Sequence, residues 1–172
     1  MSTVIGLDMS LTGTGVVALR DGKLLENMRI EPKAKGGVPR LLEIEKEITA
    51  HLACVKPQLV IIEGYAFARP NQAHQIGELG GVIRRMLVIG GWRYIEVAPK
   101  MAKKFCTGKG TAPKEIILQQ VYKRWGAEFQ TSDEADAYVL AKIGEALLAK
   151  ERTLTAFQAE VIHELEKKKG VA

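Results

Sequence analysis

A mixed α/β domain, with one sheet covered by helices, is the fold class this sequence predicts, and three observations carry that expectation. Two β-rich runs, Thr3 to Asp8 and Gly13 to Leu19, are followed by Asp21-Gly22, a strong hairpin signal, and by a third run from Lys23 to Ile30, so the three read as an antiparallel meander. Leu59 to Ile62 is a continuous apolar run, as expected of a central strand covered on both faces. Elsewhere the apolar residues recur at helical spacing.

Each element has a local reason. Past a basic loop from Lys33 to Pro39, the residues Leu41, Leu42, Ile44, Ile48, Leu52 and Val55 line one side of a helix that must end before Pro57. Asn71 to Ile89 reads as a second long helix. Gly77, Gly80 and Gly81 weaken it by roughly 1 kcal/mol each unless close packing compensates, so a tight helix–sheet or helix–helix contact is expected there. Arg93 to Val97 is a short strand, and Pro99 opens a short helix to about Phe105. The loop TGKGTA over Thr107 to Ala112 leads to Pro113, in the first turn of a helix that carries Ile116, Ile117, Val121 and Trp125 inward. Thr131 to Leu148 is a helix with a clear start, and Leu154, Phe157, Val161 and Leu165 define a last amphipathic helix with a basic tail, Lys167 to Lys169. No repeat and no long linker divides the chain. Residues 1–150 are expected to form the principal domain, and 151–172 a C-terminal helix and tail belonging to it.

Composition narrows the function classes. With 172 residues, 47% of them hydrophobic, the chain can bury a real core and is not a disordered protein. The net charge of +5 leans towards a polyanionic partner. Cys54 and Cys106 are far apart, with no CxxC and no nearby histidine pair, so neither a disulfide framework nor a zinc site is indicated. The N-terminus opens directly on a strand-like run and no apolar stretch reaches membrane-spanning length, so a cytoplasmic protein without membrane contact is expected.

The acids near the C-terminal third carry the chemistry. Thr131 is a good N-cap and Glu134 follows three residues later, a capping box that accounts for Glu134. Asp133 in the first turn is favoured by the helix dipole. Asp136 has no such explanation. It shares a face with Leu140, Ile143 and Leu147, so it points towards the core, where an unpartnered carboxylate costs several kcal/mol. Asp133 can reach the same point, and two converging carboxylates suit a hard cation such as Mg²⁺. Asp8 and Glu63 close the first and fourth strand-like runs. If those strands are neighbours, both acids join the pair, at the carboxyl ends where sites in open α/β sheets gather.

Four segments, GLDMSLTGTGVV, VIIEGYAF, TGKGTAPKE and SDEADAYVLA, resemble in order and spacing the RuvC-type Holliday-junction resolvases of the ribonuclease H-like superfamily, over residues 3 to about 149. The resemblance implies a ribonuclease H-like, mixed five-stranded sheet flanked by helices. It implies that Asp8, Glu63, Asp133 and Asp136 are catalytic and bind two Mg²⁺ ions, with Mn²⁺ as a substitute, for hydrolysis of DNA phosphodiesters in four-way junctions. It also implies a homodimer acting on branched DNA. Glu134 departs from the alanine expected between the two aspartates. Lys109 and Lys114 lie in the basic stretch that approaches the DNA backbone near the catalytic acids in the family, which makes both candidate DNA contacts and Lys114 a candidate catalytic residue; lysine is also ordinary in an exposed loop and helix start, although the helix dipole mildly opposes Lys114 there. Tyr65 and Phe67 lie where the family carries an aromatic that stacks on bases, and either suits a core as well. Arg69, Arg84, Arg85, Lys33 and Lys35 are candidate phosphate contacts that also read as solvated surface charges. The alternative is a ribonuclease H-like nuclease acting on other branched DNA or on RNA. A nucleotide-binding kinase-like domain, suggested by DMSLTGTG, needs two such domains, so no nucleotide cofactor is expected.

Overall fold

The computed structural model describes residues 1–64 and 73–169. Among them the elements run β1 (Thr3–Asp8), β2 (Thr14–Arg20), β3 (Lys23–Ile30), α1 (Gly37–Val55), β4 (Leu59–Glu63), α2 (Ala73–Ile89), β5 (Tyr94–Val97), α3 (Pro99–Thr107), α4 (Lys114–Trp125), α5 (Ser132–Leu148) and α6 (Ala156–Lys169). The five strands form one sheet in the order β3-β2-β1-β4-β5. The first three strands pair antiparallel, joined at Asp21 and Gly22, whose φ values of 48° and 79° give the left-handed pair that a tight hairpin needs. β4 then runs parallel to β1, and β5 parallel to β4.

Strand alternation divides the core into two layers. Val4 of β1, Val17 and Leu19 of β2, and Leu59 and Ile61 of β4 face α5 and, beyond it, α3, α4 and α6. Their neighbours Ile5, Leu7, Val16, Ala18, Val60 and Ile62 face α1 and α2. Val161, Ile162 and Leu165 of α6 belong to the first layer, so the last helix is part of the same core.

The closest packing is between α5 and the sheet. A Cβ on Gly6 would stand 2.0 Å from the Ala137 carbonyl oxygen, and one on Gly15 would stand 2.0 Å from the Asp133 carbonyl oxygen. A Cβ on the helix at Gly144 would meet Val4 Cγ1 at 2.4 Å. Helix backbone and strand backbone therefore touch, and this fixes the height of α5 over β1 and β2.

Several sequence expectations change. Gly77 and Gly81 of α2 have open space where a side chain would lie, so the tight contact expected there is absent at those two positions, while Ile83 and Leu87 are fully buried against the sheet. Leu42 is 55% exposed and Ile116 is 36% exposed, each one helical step away from a buried neighbour, Leu41 and Ile117. Leu154 packs on the core from ahead of α6 rather than from within it. Among the described residues, no helix is long and apolar enough to cross a membrane.

Candidate active site

Strand parity and register assemble the acids. Asp8 lies two residues beyond Gly6, so it is on the α5 side of β1, and Glu63, two residues beyond Ile61, is on the same side of β4. Leu7 pairs with Ile62 in the parallel ladder, which makes Asp8 and Glu63 the next residues along two adjacent strands. Above them stands the first turn of α5. Its capping box is formed in full: Thr131 Oγ1 accepts from the Glu134 N–H at 3.3 Å, and Glu134 Oε2 accepts from the Thr131 N–H at 3.1 Å. Since the Asp133 carbonyl rests on Gly15, the start of α5 is held against β2, with Asp133 and Asp136 over the carboxyl ends of β1 and β4.

Crowding shows in the proton affinities. Burial, then Glu63 and Asp136, push Asp8 well above the usual carboxylate range, and Asp8 is itself only 7% exposed. Burial and then Asp136 push Glu63 up to about 7, against the pull of Lys114 and Lys103. Asp136 is raised by burial and by Asp133, again against Lys114 and Lys103. A folded-state value of about 7 against an ordinary 4.5 means that the folded protein retains a proton on Glu63 that the unfolded chain has lost. Stability from this group is therefore full below about pH 4.5 and lost as pH rises through 7. Protein in EDTA is expected to melt lower at pH 8 than at pH 5, and Glu63→Gln to remove part of that difference, at most about 3 kcal/mol. Thermal unfolding across that range checks it, and an unchanged pH slope in the variant would refute it.

Two lysines balance the acids. Lys114 Nζ, at the first residue of α4, lies 3.7 Å from Asp136 Oδ2 and 4.0 Å from Asp133 Oδ1. Lys103 of α3 acts electrostatically on Glu63 and Asp136. Lys109 is exposed in the loop, its N–H bonded to Thr107 Oγ1 at 3.0 Å, and it forms no ion pair with any of the four acids. Tyr65, Phe67 and Arg69 lie outside the described residues. Arg84 is engaged elsewhere, its guanidinium bidentate to Glu96 with both contacts at 2.7 Å.

Sequence reasoning missed three side chains. Lys103 carried no signal beyond being one of several lysines near TGKG. Arg29 Nε donates to Asp133 Oδ2 at 2.8 Å, and Asn27 Nδ2 donates to Glu134 Oε1 at 2.7 Å. Their spacing of two residues on β3 puts both on one face, a hint visible only once β3 is known to lie under α5. Glu134 thus has a second partner besides the cap.

Four carboxylates of raised or crowded charge form a donor set of hard oxygens, the chemistry that a divalent cation satisfies. As placed, no group of three acids, histidines or cysteines among the described residues closes around a single point, and the Lys114 ammonium stands between two of the carboxylates.

A mixed sheet in the order β3-β2-β1-β4-β5, bearing acids at the ends of its paired central strands, is the ribonuclease H-like fold. RuvC from Anaeromyxobacter sp. strain K, a crossover junction endodeoxyribonuclease, is 32% identical over 144 residues, 80% of this chain and 77% of that protein. The chain belongs to the RuvC family. RuvC from Synechococcus sp. strain WH7803 is 28% identical over 82% of this chain and 96% of its own length. In fold, the chain resembles Thermus thermophilus RuvC bound to a Holliday junction substrate, with a TM-score of 0.69 at 18% identity, covering 100% of this chain and 98% of that one. No family model matches the chain.

Proposed function

We propose that this protein resolves four-way DNA junctions by hydrolysing phosphodiesters at the Asp8, Glu63, Asp133 and Asp136 cluster. The observation that carries the reading is the placement of Asp8 and Glu63 side by side under the start of α5 in a chain of this family. Two Mg²⁺ ions, or Mn²⁺ in their place, held by the four acids would supply an activated water and stabilise the leaving 3′ oxygen. The protein's own part is to hold the acids rigidly and to offset their charge. Lys114, whose Nζ is 3.7 Å from Asp136, and Lys103, whose charge acts on Glu63 and Asp136, would receive an anionic phosphate brought against them. Lys114→Ala is expected to lower cleavage by about a hundredfold, as for loss of a donor to developing negative charge. Unchanged single-turnover cleavage in that variant would make Lys114 a surface lysine only.

Resolution needs two nicks in strands of the same polarity, so two sites related by a two-fold axis complete it in one encounter, and a homodimer is part of the proposal. The outward side of α2 offers a surface: Gly77 and Gly81 lie bare and Val88 and Ile89 are exposed, whereas Ile83 and Leu87 are committed to the core. The test is nicking of a four-way junction beside a linear duplex, a flap and an RNA–DNA hybrid, with Mg²⁺ and with EDTA, and sedimentation with and without junction. Paired, Mg²⁺-dependent nicks in the junction alone support the reading. Preferential cutting of the hybrid or the flap would favour the alternative nuclease.

A further inference from the structure

The edge strand β3 reaches into the acid cluster through one side chain. Arg29 Nε donates to Asp133 Oδ2 at 2.8 Å, while its Nη1 pairs with Glu31. The guanidinium lies over the bare backbone of the loop between β1 and β2: a Cβ at Gly13 would stand 2.3 Å from Nη2. On the strand, Arg29 pairs with Gly15, the residue on which the Asp133 carbonyl rests. Arg29 is thus confined by Gly13 beneath, Glu31 at one end and Asp133 at the other, and it is only 30% exposed. The bond occupies one oxygen of Asp133 and leaves Oδ1 on the side of Lys114, whose Nζ stands 4.0 Å away.

We infer that Arg29 is a positioning residue for Asp133, which presets the carboxylate so that Oδ1 is presented to the divalent ion. The inference rests on the metal reading proposed above. An isolated first-turn aspartate has free rotation about its side-chain bonds and would spend much of its time turned to water or back to the N–H groups of its own helix. The Arg29 bond removes that freedom before any ion arrives, in the way that outer partners orient metal ligands generally. Asn27 acts on the next residue, fixing Glu134 Oε1 away from the cluster at 2.7 Å, so β3 sorts the two adjacent acids: Asp133 towards the site, Glu134 towards the cap.

Charge alone gives the opposite expectation, which makes the inference decidable. Removing a cation beside a ligand should draw a divalent ion in more tightly, whereas losing the orientation should loosen it. The double variant Arg29→Ala/Glu31→Ala keeps the net charge and isolates orientation. Mn²⁺ binding to the DNA-free protein, measured by calorimetry, is expected to weaken about tenfold in the double variant, the low end of the effect seen for such outer partners. Arg29→Gln/Glu31→Ala, which has the charge of the double variant but retains a donor at position 29, should recover part of the loss. In an Asp133→Asn background the Arg29 substitutions should change nothing, because the group they act through is already altered. Melting temperature and ion-free junction binding serve as controls and should hold. Equal or tighter Mn²⁺ binding in the double variant, or an undiminished effect in the Asp133→Asn background, overturns the role of Arg29. Wild-type protein that takes up no Mn²⁺ overturns the metal reading itself.

Discussion

Asp8→Asn is expected to reduce junction cleavage by on the order of a thousandfold while leaving junction binding in place. Ions at such a site supply several kcal/mol of charge stabilisation, and each 1.36 kcal/mol is a factor of ten in rate. Asn has the shape of Asp, so no cavity opens at the end of β1. Asp8 is buried among Glu63, Asp136 and Asp133, all of which oppose its ionisation, so the neutral residue is tolerated at least as well by the fold. A site with one negative charge fewer also repels DNA phosphates less. Single-turnover cleavage with saturating Mg²⁺, gel-shift binding in EDTA and a melting curve at pH 8 together check this. Cleavage near the wild-type rate would remove Asp8 from the site. Loss of binding together with a lower melting temperature would give it a structural role instead.

Two glycine substitutions are expected to act in opposite directions. Gly6→Ala puts a methyl group 2.0 Å from the Ala137 carbonyl oxygen and 2.5 Å from the Ala141 nitrogen, both backbone atoms that no rotamer change can move. Either β1 or α5 must shift, at a cost of about 3 kcal/mol or more, and since each carries site acids the cleavage rate should fall with the stability. For a chain of this size that corresponds to a drop of roughly 6–12 °C in melting temperature. Gly77→Ala faces open space within a helix and should stabilise by about 0.5–1 kcal/mol. Thermal unfolding of the two variants beside wild type decides it. A Gly6→Ala protein that melted normally would mean that α5 is free to ride over the sheet.

The contrast between those glycines also marks where the sequence could be read and where it could not. The hairpin at Asp21-Gly22, the capping box at Thr131 and Glu134, and the acids ending β1 and β4 are local patterns, each with a mechanism contained in a few residues, and each is present. Close approach is not local. Gly77 and Gly81 stand out because they interrupt a helix, yet the closest approaches of another backbone are at Gly6 and Gly15, in strands where nothing in the local pattern calls for glycine. Arg29, Asn27 and Lys103 were invisible for the same reason: an arginine on an edge strand gains meaning only from the helix above it, 104 positions along the chain in the case of Asp133. Leu42 and Ile116 show the limit of periodicity, since a neighbour one step round the helix is 100° away and leaves the buried stripe.

The two sides of the sheet also offer separate handles to a protein engineer. In β1 the even-numbered residues Val4, Gly6 and Asp8 belong to the α5 side, and in β4 the odd-numbered Leu59, Ile61 and Glu63 do; their alternates Ile5, Leu7, Val60 and Ile62 lie in the layer that contains the buried faces of α1 and α2. Repacking the α1 and α2 side changes side chains on the face of the sheet opposite to that of Asp8 and Glu63. An insertion or deletion of one residue within β1 would exchange the layers, turning Asp8 to the aliphatic side and an aliphatic residue to the side of Glu63 and α5. A hardened version of this enzyme is therefore to be sought in substitutions that preserve strand length and alter only the aliphatic layer under α1 and α2.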